Sequence, residues 1–187
     1  MLGVLLAPGA GADRNQSALV ALDRRLTEAG ADVVRMDFPY RRAGRRAPDR
    51  APILIRAVVE EAAALGGRTD DLLLGGRSMG GRMCSMAVAE GLNAAGLILV
   101  SYPLHPPGRP DRLRVHHFEQ LAVPCLFVSG TRDAFGSPQE LEQATAAIPG
   151  PVTHCWVEGK DHGMRGADAV VANLVTEWVT NFPGLRG

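Results

Sequence analysis

The first candidate for chemistry is a serine between two glycines. The run Gly76-Arg77-Ser78-Met79-Gly80 matches Gly-x-Ser-x-Gly, the pattern of a strand-to-helix turn that exposes a nucleophilic hydroxyl. The chain holds 22 glycines in 187 residues, so the match depends on its context. Residues 71–75 have the apolar pattern of a buried strand, and small residues from Gly80 onward favour a closely packed helix. We therefore expect Ser78 to be a nucleophile on a strained turn; a bystander serine in a glycine-rich turn is the alternative.

A serine nucleophile needs a base that takes its proton and an acid that orients the base. On strand-to-helix turns of this kind the chain order is Ser, acid, His. Asp133 follows a predicted strand at 124–129, and His162 follows the last predicted strand. We expect His162 to accept the proton of Ser78 and Asp133 to hold the imidazole in the required tautomer.

The remaining histidines are weaker candidates for the base. His105, His116 and His117 precede the acid and so violate the expected order. His154 lies within a predicted strand, where we interpret it as structural. Asp161 adjoins His162 but is badly placed to reach the far side of its ring.

Two backbone amides must stabilise the oxyanion that forms during acyl transfer. The amide of Met79, directly after the nucleophile, is one candidate, and that of Ala10, in the turn after the first predicted strand, is the other. A phosphate-binding loop is the alternative for the glycine-rich turn at 8–11. The turn has neither the Gly-x-Gly-x-x-Gly spacing nor a Walker lysine, so we expect no nucleotide and no other cofactor.

The elements that must position these residues alternate along the chain. Apolar runs alternate with segments of helical period, which predicts a single α/β domain over residues 1–187, with a six-stranded, mostly parallel sheet and no cap domain. The predicted strands are 2–7, 32–37, 71–75, 96–100, 124–129 and 152–157, and the predicted helices are about 15–29, 51–65, 80–90, 138–147 and 166–181. The candidate residues follow the carboxyl ends of strands, where open α/β sheets place their ligands.

Composition excludes several classes of partner. Twenty basic residues balance twenty acidic ones, so we expect neither nucleic acid nor a membrane surface as a partner.

The three cysteines lack the spacing of a zinc site or of a disulfide framework. The apolar N-terminus runs into a Pro-Gly turn and predicts a first strand in place of a signal peptide. The expected location is the cytoplasm.

Two long connections are candidates for substrate binding. Residues 39–50 are rich in arginine, and Arg41 or Arg42 could bind a substrate carboxylate or phosphate; a solvated basic loop is the alternative. In the connection at 101–119, Tyr102 and His105 are candidates for lining the pocket, with simple loop packing as the alternative. Arg77 would point either toward the site or toward solvent.

Several runs together resemble a known family, the small α/β-hydrolases related to dienelactone hydrolase. These runs are Ala-Pro-Gly-Ala-Gly-Ala at 7–12, Asp-Phe-Pro-Tyr-Arg at 37–41, Gly-Gly-Arg-Ser-Met-Gly-Gly-Arg at 75–82, Tyr-Pro-Leu-His-Pro-Pro-Gly at 102–108 and Gly-Thr-Arg-Asp-Ala-Phe-Gly at 130–136. In particular the chain is similar to the bacterial branch that also contains animal testis-expressed and chromatin-complex subunits. The resemblance implies an α/β-hydrolase fold with Ser78, Asp133 and His162 as the triad, although many relatives have His at the position of Pro8.

These residues predict an ester or thioester hydrolase that acts on a small molecule with a short or polar acyl group. Since some relatives in the family act as scaffolds, a non-catalytic interaction protein with the same fold is the alternative. A third hypothesis is that the same triad catalyses another acyl transfer or the hydrolysis of a C–C bond.

Overall fold

The computed structural model describes residues 1–182 and confirms the predicted alternation of strands and helices. The strands are β1 (Leu2–Ala7), β2 (Asp32–Arg35), β3 (Asp71–Arg77), β4 (Gly96–Val100), β5 (Cys125–Gly130) and β6 (Val152–Val157). The helices are α1 (Ser17–Glu28), α2 (Pro39–Arg42), α3 (Ala51–Gly66), α4 (Met79–Ala89), α5 (Pro138–Thr145) and α6 (Asp168–Thr180).

The six strands form one parallel sheet in the order β2-β1-β3-β4-β5-β6. From β1 the chain moves outward to β2 and then returns across β1 to β3. The order therefore reverses between β1 and β3, and the crevice at such a reversal is the usual ligand position in open α/β sheets. The turns that follow β1 and β3 carry Ala10 and Ser78.

Alternating side chains of the strands build a hydrophobic core on each face of the sheet. Leu5, Leu74 and Leu99 belong to one core, which α3 and α4 cover. Val4 and Leu73 belong to the other core, which α1 and α6 cover. Burial of each large aliphatic side chain contributes about 1.5–3 kcal/mol, so the two cores hold the central strands, and hence the turns above them, in place.

The structure differs from the predicted boundaries near the sheet edge that carries the site. Strand β3 continues through Arg77, so Ser78 follows the strand directly. Strand β2 ends at Arg35 rather than Asp37. The Asp37 carboxylate accepts hydrogen bonds from the Arg14 amide and side chain. The connection predicted as irregular begins with the one-turn helix α2, where Pro39 supplies a preset φ. Within residues 1–182, no helix combines the length and apolar character that crossing a bilayer requires.

Candidate active site

Ser78 occupies the turn between β3 and α4 in a conformation that L residues rarely adopt. Its φ is +50° and its ψ is −117°, which is strained for a residue with a side chain. Its amide donates a hydrogen bond of 2.8 Å to the carbonyl of Val100, beyond the end of the β3–β4 ladder. The strain lifts the hydroxyl above the sheet at the N-terminus of α4.

The glycines of the motif are required because the turn packs against the end of β1. A Cβ atom at Gly76 or at Gly80 would collide with the carbonyl oxygen of Ala7. Gly76 also has a φ of +155°, which glycine adopts without cost. Close packing of β1, β3 and α4 therefore requires glycine at positions 76 and 80. The same packing places the turn after β1 beside Ser78.

The loops after β5 and β6 bring an acid and a base to the serine. The Oγ atom of Ser78 lies 2.8 Å from Nε2 of His162. On the other side of the ring, Nδ1 of His162 lies 2.8 Å from Oδ2 and 3.0 Å from Oδ1 of Asp133. This is the arrangement in which a base activates a hydroxyl while a carboxylate orients the base. The structure thus brings together Ser78, Asp133 and His162.

Backbone contacts hold the acid and the base in this geometry. The Asp133 side chain is only 2% exposed, and Oδ1 also accepts a hydrogen bond of 2.8 Å from the amide of Phe135. The two loops are joined where the amide of Arg132 donates to the carbonyl of Lys160. Gly130 allows this approach, since a Cβ atom there would collide with the same carbonyl. The acid is therefore buried but hydrogen-bonded, and its position relative to the histidine loop is fixed.

Arg77 points toward the site. Its guanidinium donates to the carbonyl oxygen of His162, so it restrains the base through the backbone. Burial lowers the pKa of Arg77, while the negative charges of Asp133, Asp168 and Asp161 favour its charged form. Arg77 is therefore a half-buried cation whose charged form is favoured by neighbouring carboxylates.

The two expected oxyanion donors both line the cleft above Ser78. In the turn after β1, the amide of Gly9 donates to the Gln16 side chain at 3.0 Å, and the amide of Gly11 donates to the hydroxyl of Tyr40 at 3.1 Å. The Ala10 amide between them has no hydrogen-bond partner within residues 1–182, and neither has the amide of Met79, the first residue of α4. The cleft is thus lined by two residues whose amides have no hydrogen-bond partner among the described residues.

The cleft that contains these groups has a volume of about 480 Å³. Its lining includes three arginines. The residues are Gly9, Ala10, Gln16, Arg77, Ser78, Met79, Arg82, Pro103, Arg114, Phe135 and His162.

Three residues predicted to bind substrate do not line this cleft, and each has a partner elsewhere. Arg41 forms an ion pair with Asp13 at 3.1 Å. Tyr102 is buried, and its hydroxyl donates to the carbonyl of Arg114 at 2.7 Å. His105 is also buried, with Nδ1 lying 2.8 Å from the carbonyl of Pro106. These three residues pack the loops and leave the cleft to other side chains, so their positions do not support the predicted contact with substrate.

The other histidines in the core also have structural contacts. His154 lies 3.0 Å from the Thr145 hydroxyl, and Nε2 of His117 lies 2.8 Å from the Ser85 hydroxyl. Burial lowers the pKa of His117 to about 4, and the positive charges of His116 and Arg82 add to the effect. His117 is therefore a neutral core residue near neutral pH.

Three residues line the cleft but were not predicted from the sequence: Arg82, Arg114 and Phe135. Arg82 lies four residues after Ser78, on the same side of α4, so helical spacing could have indicated it. Arg114 and Phe135 lie in irregular loops, where no periodicity predicts the direction of a side chain. Phe135 stacks on the ring of His162 with centroids 3.9 Å apart.

Comparison with known proteins places this geometry in a family. A family model described as an alpha/beta hydrolase domain matches residues 2–174. Among solved structures, one of the metagenome-derived lipolytic enzymes LipS and LipT superimposes with a TM-score of 0.79 at 15% identity, covering 95% of this chain and 93% of that chain. An alpha-beta serine hydrolase homologue from Coxiella burnetii gives 0.77 at 21% identity, covering 96% and 85%. The dienelactone hydrolase from Anabaena variabilis gives 0.76 at 20% identity, covering 96% and 86%.

At these identities the superpositions establish a shared fold. The resemblance to proteins related to dienelactone hydrolase is confirmed at that level, whereas the placement in a branch with animal testis-expressed and chromatin-complex subunits stays a prediction. Since the family model spans nearly the whole chain, this protein belongs to the alpha/beta hydrolase domain family.

Proposed function

We propose that this protein hydrolyses a carboxylic ester or thioester of a small molecule through an acyl-enzyme on Ser78. The observation that carries the proposal is the continuous contact from Ser78 Oγ through the His162 ring to the Asp133 carboxylate. A scaffold that merely kept the fold would have no need for a strained serine aligned with a base and a buried acid. The family match and the lipolytic enzymes among the structural neighbours agree with this assignment.

The acylation step follows from the positions of these groups. Ser78 Oγ attacks the substrate carbonyl carbon while His162 Nε2 takes the hydroxyl proton. The carbonyl oxygen becomes an oxyanion and accepts hydrogen bonds from the amides of Ala10 and Met79. Loss of one such donor in a hydrolase costs about 3 kcal/mol of transition-state stabilisation. When the tetrahedral intermediate collapses, the bond to the alcohol or thiol breaks and His162 donates the proton to that leaving group.

Deacylation repeats the same chemistry with water. His162 takes a proton from a water molecule, whose oxygen attacks the acyl carbon, and the same amides hold the second oxyanion. The bond to Ser78 Oγ then breaks, and His162 returns the proton to the serine. The Asp133 side chain takes no proton in either step and stabilises the imidazolium that forms twice in each cycle.

The size of the cleft supports a short or polar acyl group. A volume of about 480 Å³ lies toward the small end of ligand pockets, and three arginines line the cleft. A long alkyl chain would leave guanidinium groups without water or a partner. The proposal therefore favours acyl chains shorter than those of typical membrane lipids.

Turnover of a series of p-nitrophenyl esters and matched thioesters tests the proposal. We expect hydrolysis of the acetate and butyrate esters, a decline with longer chains, and loss of turnover in Ser78→Ala. Folding of the variant is checked by circular dichroism. Full activity in Ser78→Ala would refute the proposed nucleophile, and folded wild-type protein without activity on any member of the series would favour a non-catalytic role.

A further inference from the structure

Two arginines of the cleft, Arg82 and Arg114, form a cationic site without a protein counter-charge. Within residues 1–182, no Asp or Glu forms an ion pair with either guanidinium. By contrast, exposed arginines such as Arg14 and Arg68 each have a carboxylate partner. Arg77, the third arginine of the cleft, has the carboxylates of Asp133, Asp161 and Asp168 around it. We call Arg82 and Arg114 the arginine pair.

The backbone places Arg82 beside the nucleophile. The amide of Arg82 donates to the carbonyl of Ser78 at 3.1 Å, which closes the first turn of α4. Residues four apart lie on the same face of a helix, so Arg82 and Ser78 share the face that lines the cleft. The Nε atom of Arg82 is buried and has no hydrogen-bond partner among the described residues. A buried charged donor without an acceptor is costly, and an acceptor bound in the cleft would remove that cost.

Hydrogen bonds within the loop after β4 hold the backbone of Arg114, which also lines the cleft. Its amide donates to the carbonyl of Leu104 at 2.8 Å, and its carbonyl accepts the hydroxyl proton of Tyr102 at 2.7 Å. Its guanidinium makes one long contact, 3.4 Å, with the carbonyl of Pro103. Most of its donors therefore remain free for a ligand. Tyr102 does not line the cleft and acts as a positioning residue for Arg114.

The positive charges of the two guanidinium groups of the cleft repel each other. Burial lowers the pKa of Arg114, and the positive charge of Arg82 lowers it further. Two like charges held together at partly buried positions destabilise the folded chain unless an anion lies between them. Neutral His117, also near Arg82, supplies no negative charge. A bound anion would supply this compensation.

We propose that the substrate of Ser78 carries an anionic group, a carboxylate or a phosphate, which the arginine pair binds while the scissile carbonyl lies over the serine. The inference rests on the proposed hydrolysis and adds the substrate class. Two planar guanidinium groups suit the geometry of oxyanions, to which arginine donates in bidentate fashion. The ester or thioester bond breaks as described above, and the anionic group remains unchanged.

A matched set of substrates tests the substrate class on the wild-type enzyme. The set comprises mono-p-nitrophenyl adipate, its methyl ester, and the p-nitrophenyl ester of phosphonopentanoic acid. The first two differ by one negative charge, and the third replaces the carboxylate with a phosphonate. We expect kcat/KM for the better anionic substrate to exceed that of the neutral methyl ester by at least about tenfold. The ratio of the kcat/KM values of the two anionic substrates then shows whether a carboxylate or a phosphate is the preferred group.

Variants of the arginine pair locate the binding site. Arg82→Gln and Arg114→Gln should each reduce the ratio of anionic to neutral kcat/KM by about tenfold, mainly through KM. Arg82→Lys should restore part of that ratio, which a merely structural role would not predict. Arg112→Gln is the matched control, because Arg112 lies in the same loop as Arg114 but is exposed and outside the cleft; its ratio should equal that of wild type.

The outcomes separate this inference from the proposed function. Hydrolysis of all three substrates at similar kcat/KM by wild-type enzyme would overturn the inference and leave the ester hydrolase in place. A charge preference that persists in both glutamine variants would also overturn it, since the anion would then bind elsewhere. Absence of any hydrolysis, together with no labelling of Ser78, would overturn the proposed function itself. The wild-type comparison decides the matter even if a variant fails to fold.

Discussion

The aromatic ring of Phe135 stacks on the imidazole of His162, with centroids 3.9 Å apart and planes inclined by 26°. The same residue donates its backbone amide to Oδ1 of Asp133 at 2.8 Å. One residue therefore restrains the base through its side chain and the acid through its backbone. Its ring also lines the cleft, where it excludes water from one face of the imidazole.

Removal of this ring should impair turnover more than stability. In Phe135→Ala the amide that holds Asp133 remains, whereas the histidine ring loses its packing partner. We expect kcat/KM on p-nitrophenyl acetate to fall by about tenfold to a hundredfold, because misplacement of a reacting group by about 1 Å costs that much. Phe135→Leu, which keeps apolar packing without the stack, should lie between wild type and the alanine variant. Equal activities of all three proteins would contradict this role.

Replacement of the acid should disable the base without moving it. Asp133→Asn preserves the size of the side chain but removes the charge that stabilises the imidazolium and sets its tautomer. A decrease in kcat of about 10⁴-fold is expected for a serine hydrolase triad. Asp161→Asn is the matched control, since Asp161 is next to His162 in the chain but caps the Gly163 amide at 2.9 Å. If steady-state kinetics show the larger loss for Asp161→Asn, the acid has been assigned wrongly.

The close approach of α4 to β1 should make Gly80 intolerant of a side chain. Gly80→Ala would place a methyl group against the carbonyl of Ala7, and the resulting strain should lower the free energy of unfolding by about 3 kcal/mol. Gly66→Ala, at the end of α3, meets no atom within 4 Å and should be neutral or stabilising by up to about 1 kcal/mol. Urea unfolding of both variants measures the difference. Equal midpoints would show that the turn has room to relax.

His117 should make stability depend on pH on the acidic side. Its pKa is lowered from 6.5 in the unfolded chain to about 4 in the folded protein, so the unfolded state binds the proton more readily between these values. The free energy of unfolding therefore decreases as the pH falls from 6.5 to 4, by on the order of 3 kcal/mol from this residue.

The histidine contribution can be isolated from that of the carboxylates by comparing two variants. His117→Asn should lose part of the decrease in stability between pH 6.5 and 4. His116→Asn should retain most of it, because His116 is an exposed neighbour whose charge adds less to the shift than burial does. Chemical unfolding at several pH values provides the measurement. Identical pH profiles for wild type and His117→Asn would show that His117 does not titrate in this range.

The sequence was sufficient to predict the strands and the loops that carry the triad. Buried parallel strands consist of short apolar runs of sequence. The boundaries predicted for β1, β4 and β6 are therefore those that the structure has. The local motif around Ser78 and its chain order with Asp133 and His162 predicted which loops converge. These features depend on local pattern and on the rule that strand ends share one edge of a sheet.

The residues that surround the triad depend on long-range contacts that a sequence does not display. Arg41 was predicted to bind substrate, but Asp13, 28 residues earlier, neutralises it. Arg114 enters the cleft because its backbone is bonded to Leu104 and Tyr102 across the same irregular loop. The stack of Phe135 on His162 likewise joins two loops. Such contacts depend on the tertiary arrangement of loops, for which side-chain type and periodicity give no signal.

Covalent labelling of Ser78 tests the central claim most directly. Intact-mass spectrometry after treatment with a fluorophosphonate should show one adduct on wild-type protein, none on Ser78→Ala, and a much slower adduct on His162→Ala, because the base activates the hydroxyl. Peptide mapping should place the adduct on Ser78. If folded wild-type protein remains unlabelled, or if Ser78→Ala is labelled at the wild-type rate, Ser78 is not the activated nucleophile that its contacts with His162 and Asp133 indicate.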